Sequence, residues 1–129
     1  MAPAQPRRLR FGRAARIKQG RDFARVREEG RRVVHGCIIA NWARSSSLAR
    51  ARLGVITGSR IGGAVIRNRA RRLLRESFRL HQLELSQPVD LVLVARPSIA
   101  GKSLRDVEKD FLTTLRKAGL LEQPKELAG

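Results

Sequence analysis

The stretch SRIGGAVIRNRARRLLRESFRLHQL, residues 59–83, sets the architecture of this chain. After a glycine pair it is rich in Ala, Leu, Arg and Glu, which favour helices. At about 100° per residue, its side chains sort into two arcs of a helix. The apolar arc holds Ile66, Ala70, Leu73, Leu74, Ser77 and Phe78. The opposite arc holds Asn68, Arg71, Arg72, Arg75 and Arg79, with Arg67 and Arg69 at its flanks.

The polar arc of this helix carries almost only positive charge. Between Arg67 and Arg79 the single acid is Glu76. Guanidinium groups so close together repel one another unless a polyanion neutralises them. An ordinary solvated helix would interleave acids with the arginines as i,i+4 ion pairs, and this segment does not. The helix is therefore predicted to face a polyanion.

The whole chain shares this excess of positive charge, with a net charge of +17 over 129 residues. Such a charge attracts polyanions, so nucleic acid and an anionic membrane surface are the candidate partners. Arginine far outnumbers lysine, and its planar fork suits phosphate oxygens and stacks on bases, which favours nucleic acid. No apolar run reaches transmembrane length, and the N-terminus lacks the apolar core of a secretory signal. We expect a cytoplasmic protein with no membrane partner.

The length predicts one domain. We expect a basic flexible arm over residues 1–15, a single α/β domain over 16–121 and a polar tail over 122–129. A short helix from about Arg21 to Glu29 should end at Gly30. β-branched residues predict one strand over 31–42, with Gly36 as a bulge or a close backbone approach. A second strand over 52–58 should pair antiparallel with it.

The clearest strand is VDLVLVA, residues 89–95, whose near-continuous apolar run indicates burial on both sheet faces. Strand, long helix and strand make a βαβ unit, so the strands at 52–58 and 89–95 should be parallel. A last helix over 103–118 starts with Ser103 and Asp106, close to a capping pattern, and should stop at Gly119. The fold class is α/β, with helices on a mixed sheet.

The sequence offers no catalytic constellation. His35 and His81 are not spaced with a Cys or an acid as zinc ligands would be, and there is no phosphate loop of the Walker type. Cys37 lies in an apolar stretch and is predicted to be a core residue. We expect no cofactor or metal held by the protein alone and no small-molecule substrate.

At Arg67-Asn68-Arg69 the run IGGAVIRNRARRLLRESFR resembles the signature of the protein subunit of bacterial ribonuclease P. RDFARVREEGRR is similar to that family's first helix, RLGVITGSRIG to the strand before the motif, and VDLVLVARP to a later strand. The likeness covers roughly residues 7–121. It implies an α/β sandwich around a mixed sheet with a left-handed βαβ crossover, whereas general handedness rules would predict a right-handed one.

The resemblance also implies a function and two surfaces. Family members bind a catalytic RNA and precursor tRNA, and the RNA with its Mg²⁺ ions removes the 5′ leader. The residues that would face the catalytic RNA are Arg60, Arg67, Asn68, Arg69, Arg71, Arg72 and Arg75. A cleft between the first helix and the sheet would hold the single-stranded leader, and its residues would be Arg16, Phe23, Arg27, His35, Asn41 and Trp42. The chain would then be a subunit of an endoribonuclease without catalytic residues of its own.

This chain departs from the family pattern in the cleft. Arg27 stands where a second aromatic is common on the first helix, and Asn41 stands where the first strand usually ends in an aromatic. Trp42 is one step along and would lie on the opposite sheet face unless a bulge near Gly36 corrects it. Arginine–base stacking would substitute for lost aromatic contacts. Two alternatives stay open: a ribosomal-type RNA-binding protein without a leader cleft, and a stand-alone nuclease.

Overall fold

The computed structural model describes residues 16–17, 20–44 and 51–121. The predicted arm over 1–15, the predicted tail over 122–129 and residues 18–19 and 45–50 lie outside the described residues. The elements in chain order are α1 (Gly20–Glu29), β1 (Arg31–His35), β2 (Ile38–Arg44), β3 (Arg52–Ile56), α2 (Ala64–His81), β4 (Val89–Ala95) and α3 (Leu104–Ala118). The α/β fold class and the three predicted helices are confirmed.

The four strands form one mixed sheet in the order β1-β2-β4-β3. β3 and β4 are parallel neighbours, which confirms the predicted βαβ unit around α2; the handedness of its crossover stays a prediction. The predicted antiparallel pairing of the second strand with the strand before it is wrong, because β4 lies between β2 and β3. β4 is buried along nearly its whole length, and a central position is the one that covers such a strand on both faces.

Residues 31–42, predicted as one strand, form a hairpin instead, in which β1 and β2 pair antiparallel. Gly36 has a φ of +58°, a left-handed conformation that other residues rarely adopt. A Cβ there would lie 2.2 Å from Oδ2 of Asp110 on α3, and the amide of Cys37 donates a hydrogen bond to the same oxygen at 3.0 Å. Gly36 is therefore a turn residue that lets α3 approach the hairpin, and it is not a bulge.

The two faces of the sheet bury different clusters. α2 and α3 cover one face and form the main core, whose largest buried residues include Phe78, Phe111, Leu91, Leu93 and Leu115. α1 crosses the other face over a smaller cluster of Ile17, Val26, Ala43 and Val92. Neighbours along a strand point to opposite faces, so Leu91 and Leu93 belong to the first cluster and Val92 to the second. The sheet therefore separates α1 from α2.

α2 uses most of its predicted apolar arc to cover the sheet. Ala70, Leu74, Ser77 and Phe78 are buried and Leu73 is half-buried. Ile66, predicted on the same arc, is 42% exposed. It stands in the first turn of α2, where its side chain lies against Gly62 and not against the sheet.

α3 begins with the capping box that the sequence predicts. The amide of Asp106 donates to Ser103 Oγ at 3.1 Å, and the amide of Ser103 donates to Asp106 Oδ2 at 3.2 Å. The helix ends at Gly119, which has a left-handed φ of 75°. Residues next to the helix in sequence thus supply hydrogen-bond partners for backbone groups at both of its ends.

Candidate nucleic-acid interface

The outward side of α2 carries the arginines predicted from the sequence. We name this surface the basic face, which comprises Arg67, Asn68, Arg69, Arg71, Arg72 and Arg75. None of these residues is buried, and Asn68, Arg69 and Arg72 are exposed. Arg60 is also exposed, in the short 3-10 turn (Ser59–Ile61) that precedes α2. All seven predicted RNA-facing residues therefore reach solvent from α2 or from the turn before it.

Two arginines of the basic face, Arg69 and Arg71, bond to neutral groups. Arg71 donates from Nη1 to Thr57 Oγ1 and from Nη2 to Asn68 Oδ1. Arg69 Nη1 donates to the carbonyl oxygen of Lys102 at 2.7 Å. These contacts orient the guanidinium groups and leave their charge uncompensated.

One arginine of α2 does meet a carboxylate. Arg79, at the C-terminal end, pairs with Glu76 at 2.6 Å, and this contact lowers the pKa of Glu76. Within residues 16–17, 20–44 and 51–121 the other arginines of the helix have no ion pair. The charge predicted from the sequence is therefore largely unneutralised within this part of the chain.

A groove of about 620 Å³ runs along the basic face. Its lining includes Arg16, Arg69, Arg72, Arg75 and Arg79, with Glu76 as the acid. Partial burial, followed by repulsion from Arg16 and Arg71, lowers the pKa of Arg75. The two repulsions show that Arg16, Arg71 and Arg75 lie close enough together to destabilise one another's charge. The groove is thus suited to a ligand with several negative charges.

Arg16 belongs with this groove. Residues 16–17 run beside the outer edge of β3, where the Ile17 amide donates to the Leu53 carbonyl at 2.9 Å. The side chain of Arg16 lines the basic groove with Arg75. The sequence places Arg16 at the edge of the leader cleft, and the structure places it closer to α2.

A second surface lies between α1 and the opposite face of the sheet, and we call it the cleft. Phe23 forms its wall, half-buried against Gly54 and Ile17. A Cβ at Gly54 would lie 2.6 Å from Cε1 of Phe23, so glycine is what allows the ring to rest on the strand. Arg27 follows Phe23 by one helical turn on the same side of α1 and is exposed.

The floor of the cleft combines aliphatic side chains with Asn41 and with the exposed Arg32 that pairs with it. Asn41 on β2 pairs with Val92 on β4, and alternation along β2 places Ile39 on the same face as Asn41. Ile39 pairs with Val34 of β1, which is 42% exposed. Phe23, Arg27 and Asn41 therefore lie on the same side of the sheet, and their contact with a leader stays a prediction.

His35 and Trp42 do not lie on this side of the sheet. The pairing of β1 with β2 puts both on the sheet face covered by α2 and α3. His35 Nε2 lies 3.9 Å from Oδ1 of Asp110 on α3. Trp42 packs against the main core, with the guanidinium of Arg31 5.9 Å from its ring centroid. The placement of both residues in the cleft is wrong, because no bulge resets the alternation of the strand.

The carboxylate that fixes α1 above the sheet was not predicted from the sequence. Asp90, fully buried on β4, accepts from Arg52 Nε and Nη2, both at 2.9 Å. The same carboxylate accepts from Arg25 Nη2 of α1, and Arg52 lies 3.7 Å from Asp22 of α1. The hydrogen bond from Arg52 to Asp90 raises the pKa of Arg52. An acid inside the otherwise apolar run VDLVLVA was the available signal, since a buried charge needs a partner.

No three His, Cys, Asp or Glu side chains in the described part of the chain lie close enough together to hold a metal ion. None of the helices described is both long and apolar enough to cross a membrane.

Comparison with known proteins identifies the family. A family model described as Ribonuclease P matches residues 11–119. The chain belongs to the ribonuclease P protein family. As a member, it is a component of an endoribonuclease that processes tRNA, which confirms the resemblance seen in the sequence. The ribosomal-type alternative loses its support.

The similarity to ribonuclease P proteins extends over most of the chain. The ribonuclease P protein component of Syntrophomonas wolfei is 40% identical over 106 residues, covering 82% of this chain and 88% of that protein. The component of Gluconacetobacter diazotrophicus is 38% identical over 112 residues, covering 84% and 94%. A solved structure of a Staphylococcus aureus RNase P protein mutant with defective mRNA degradation activity superposes with a TM-score of 0.78 at 25% identity, covering 84% and 91%.

Proposed function

We propose that the chain docks onto the catalytic RNA of ribonuclease P through the basic face and holds the 5′ leader of precursor tRNA in the cleft. The observation that carries the proposal is the set of exposed arginines on α2 without carboxylate partners in the described part of the chain. A folded RNA supplies phosphates at the density that such a surface needs. Arg60, beside the start of α2, extends the contact.

The cleft suits a single strand of RNA. Phe23 offers a ring on which a base can stack without sequence readout, and Arg27 offers a guanidinium plane beside it. Asn41 adds a hydrogen-bonding amide to the floor, beside the exposed guanidinium group of Arg32. Because α1 and α2 lie on opposite sides of the sheet, the chain can bind both RNAs at once.

In this proposal the bond is cut by the RNA partner. The protein's residues bind and orient two RNAs, and Mg²⁺ held in the RNA holoenzyme supplies the charge stabilisation that phosphodiester cleavage requires. The protein would lower the Mg²⁺ requirement, because its arginines neutralise phosphates that Mg²⁺ would otherwise have to screen. The protein alone is expected not to cleave.

Reconstitution tests the proposal. The chain is mixed with a bacterial ribonuclease P RNA at low Mg²⁺, and leader removal from precursor tRNA is measured. We expect faster cleavage than with RNA alone and none with protein alone. Cleavage no faster than with RNA alone would contradict the proposal, and cleavage by the protein alone would favour a stand-alone nuclease.

The cleft is tested separately with Phe23→Ala. This variant should weaken binding of precursor tRNA by the holoenzyme and leave mature tRNA, which has no leader, unaffected. Loss of one base–aromatic contact is worth about 1–3 kcal/mol, or about five- to a hundredfold in affinity. Equal losses for both tRNAs would point to a packing role for the ring.

A further inference from the structure

Two aliphatic side chains stand exposed at the start of the basic face. Val65 is 81% exposed and Ile66 is 42% exposed, both in the first turn of α2. Exposing two β-branched side chains side by side is unfavourable in water unless a partner covers them. They lie beside Arg67 and Arg69, in a helix whose first turn contains no acid.

These side chains border a small cavity of about 200 Å³. Its far wall is Ile99 with Gly101, in the loop between β4 and α3, and its polar edge is Arg69. The bond from Arg69 Nη1 to the Lys102 carbonyl holds the guanidinium at this edge. The cavity is thus an apolar slot with one fixed cation at its rim.

We propose that this slot receives one unpaired nucleobase of the catalytic RNA. The inference rests on the proposed docking of that RNA on the basic face. Nucleobases have apolar faces and polar edges, so a base can lie on Val65 and Ile66 while its edge or phosphate meets Arg69. An unpaired base fits this setting because proteins read RNA mainly where bases are splayed out of helices.

The surroundings favour this occupant over others. A protein segment with acidic side chains could satisfy Arg69, but it would leave the neighbouring arginines of the basic face without phosphates. The leader is held on the opposite side of the sheet in the proposed arrangement. The catalytic RNA is therefore the partner that covers the slot and the arginines together.

Val65→Ser tests the slot. The side chain is mostly exposed and Ser has nearly the same helix propensity as Val, so the domain should fold with an unchanged urea midpoint. We expect affinity for the catalytic RNA to fall by about five- to tenfold, because Ser replaces the two methyl groups that a base would cover. The slope of log K against log salt should stay that of the unsubstituted chain, because losing an apolar contact releases no counterions.

Two reference variants frame this result. Leu83→Ser changes another exposed aliphatic residue, 64% exposed and just past the far end of α2, and should bind like the unsubstituted chain. Arg72→Ala should flatten the salt slope by about one unit. Chemical probing of the complexes should find one RNA base that is protected with the unsubstituted chain and reactive with Val65→Ser.

The outcomes separate the two proposals. If Val65→Ser binds like the unsubstituted chain while Arg72→Ala flattens the slope, the slot is wrong and RNA docking stands. The slot is also wrong if no base of the catalytic RNA becomes reactive in the complex with Val65→Ser, or if Leu83→Ser loses as much affinity. If the unsubstituted chain fails to bind the catalytic RNA, both proposals are overturned.

Discussion

Asp90→Asn is expected to destabilise the domain by about 3 kcal/mol and to release α1 first. The Asp90 carboxylate is fully buried and accepts from Arg52 of β3 and Arg25 of α1. Asparagine keeps the shape, but it removes the charge and turns an amide donor toward guanidinium donors. Both arginines then lose the buried carboxylate that they share.

The size of the effect follows from the exposure of the partners. Breaking one partner of a buried ion pair costs about 3–5 kcal/mol. The lower end applies here because the side chains of Arg25 and Arg52 are 26% and 18% exposed and regain some water, and because Arg52 keeps Asp22 at 3.7 Å. With a urea m-value of about 1.5 kcal/mol/M, losing about 3 kcal/mol lowers the midpoint by about 2 M.

The assay is urea unfolding followed by circular dichroism, with native-state hydrogen exchange to locate the loss. Glu28→Gln is the matched control: it removes one negative charge from an exposed position on α1 and should change stability by less than about 0.5 kcal/mol. Amides of α1 should lose protection before those of α3 in Asp90→Asn. A midpoint equal to that of Glu28→Gln, or equal loss of protection in both helices, would refute this account of Asp90.

Two further predictions concern the C-terminal end of α2 and the N-terminal end of α3. His81 Nδ1 and Nε2 lie 2.6 and 2.5 Å from Glu84 and Glu108; burial opposes the charged form, but the two carboxylates together raise the His81 pKa. The contribution of His81 to stability should be complete below its usual pKa of about 6.5 and should be lost as pH rises through the raised pKa. The urea midpoint of the unsubstituted chain should therefore fall between pH 6 and pH 9 by more than the midpoint of His81→Gln. Parallel pH profiles would contradict this. Ser103→Ala should cost about 1 kcal/mol by removing the cap on the Asp106 amide, with most of it recovered in Ser103→Thr; an unchanged melting temperature would show that the cap contributes nothing.

The helices were predictable because their periodicity is strong and local. The apolar arc from Ala70 to Phe78 and the capping pair at Ser103 and Asp106 are each set within a few residues of sequence. The parallel pairing of β3 with β4 followed from the long helix between them. These features need no knowledge of distant contacts.

Strand order and the hairpin were not predictable in this way. β-branched residues continue across Gly36, so propensity alone reads through the turn, and the reason for the turn is the carboxylate of Asp110, far along the chain. The central place of β4 depends on which strand gains most from having both of its faces buried. That comparison is a property of the whole sheet.

The candidate site also has one part that could be predicted from the sequence and one part that could not. The basic face could be predicted because one helix carries it. The cleft joins residues from α1 and several strands. Residues 31–42 form a hairpin and not one strand, and the pairing of its two strands places His35 and Trp42 on the sheet face opposite Phe23. The contacts of Asp90 with Arg25 and Arg52 were not predicted, because these partners lie on two other elements.

Salt dependence of RNA binding tests the central claim most directly, since the claim is that arginines of α2 contact phosphates. Affinity for the catalytic RNA is measured over a range of salt for the unsubstituted chain, for Arg72→Ala/Arg75→Ala and for Arg105→Ala/Arg116→Ala, which removes the same charge from exposed positions on α3. The first double variant should flatten the slope of log K against log salt by about 1.5–2 units, and the second should leave it unchanged. Equal slopes for the two double variants would mean that net charge alone attracts the RNA and that α2 is not its docking surface.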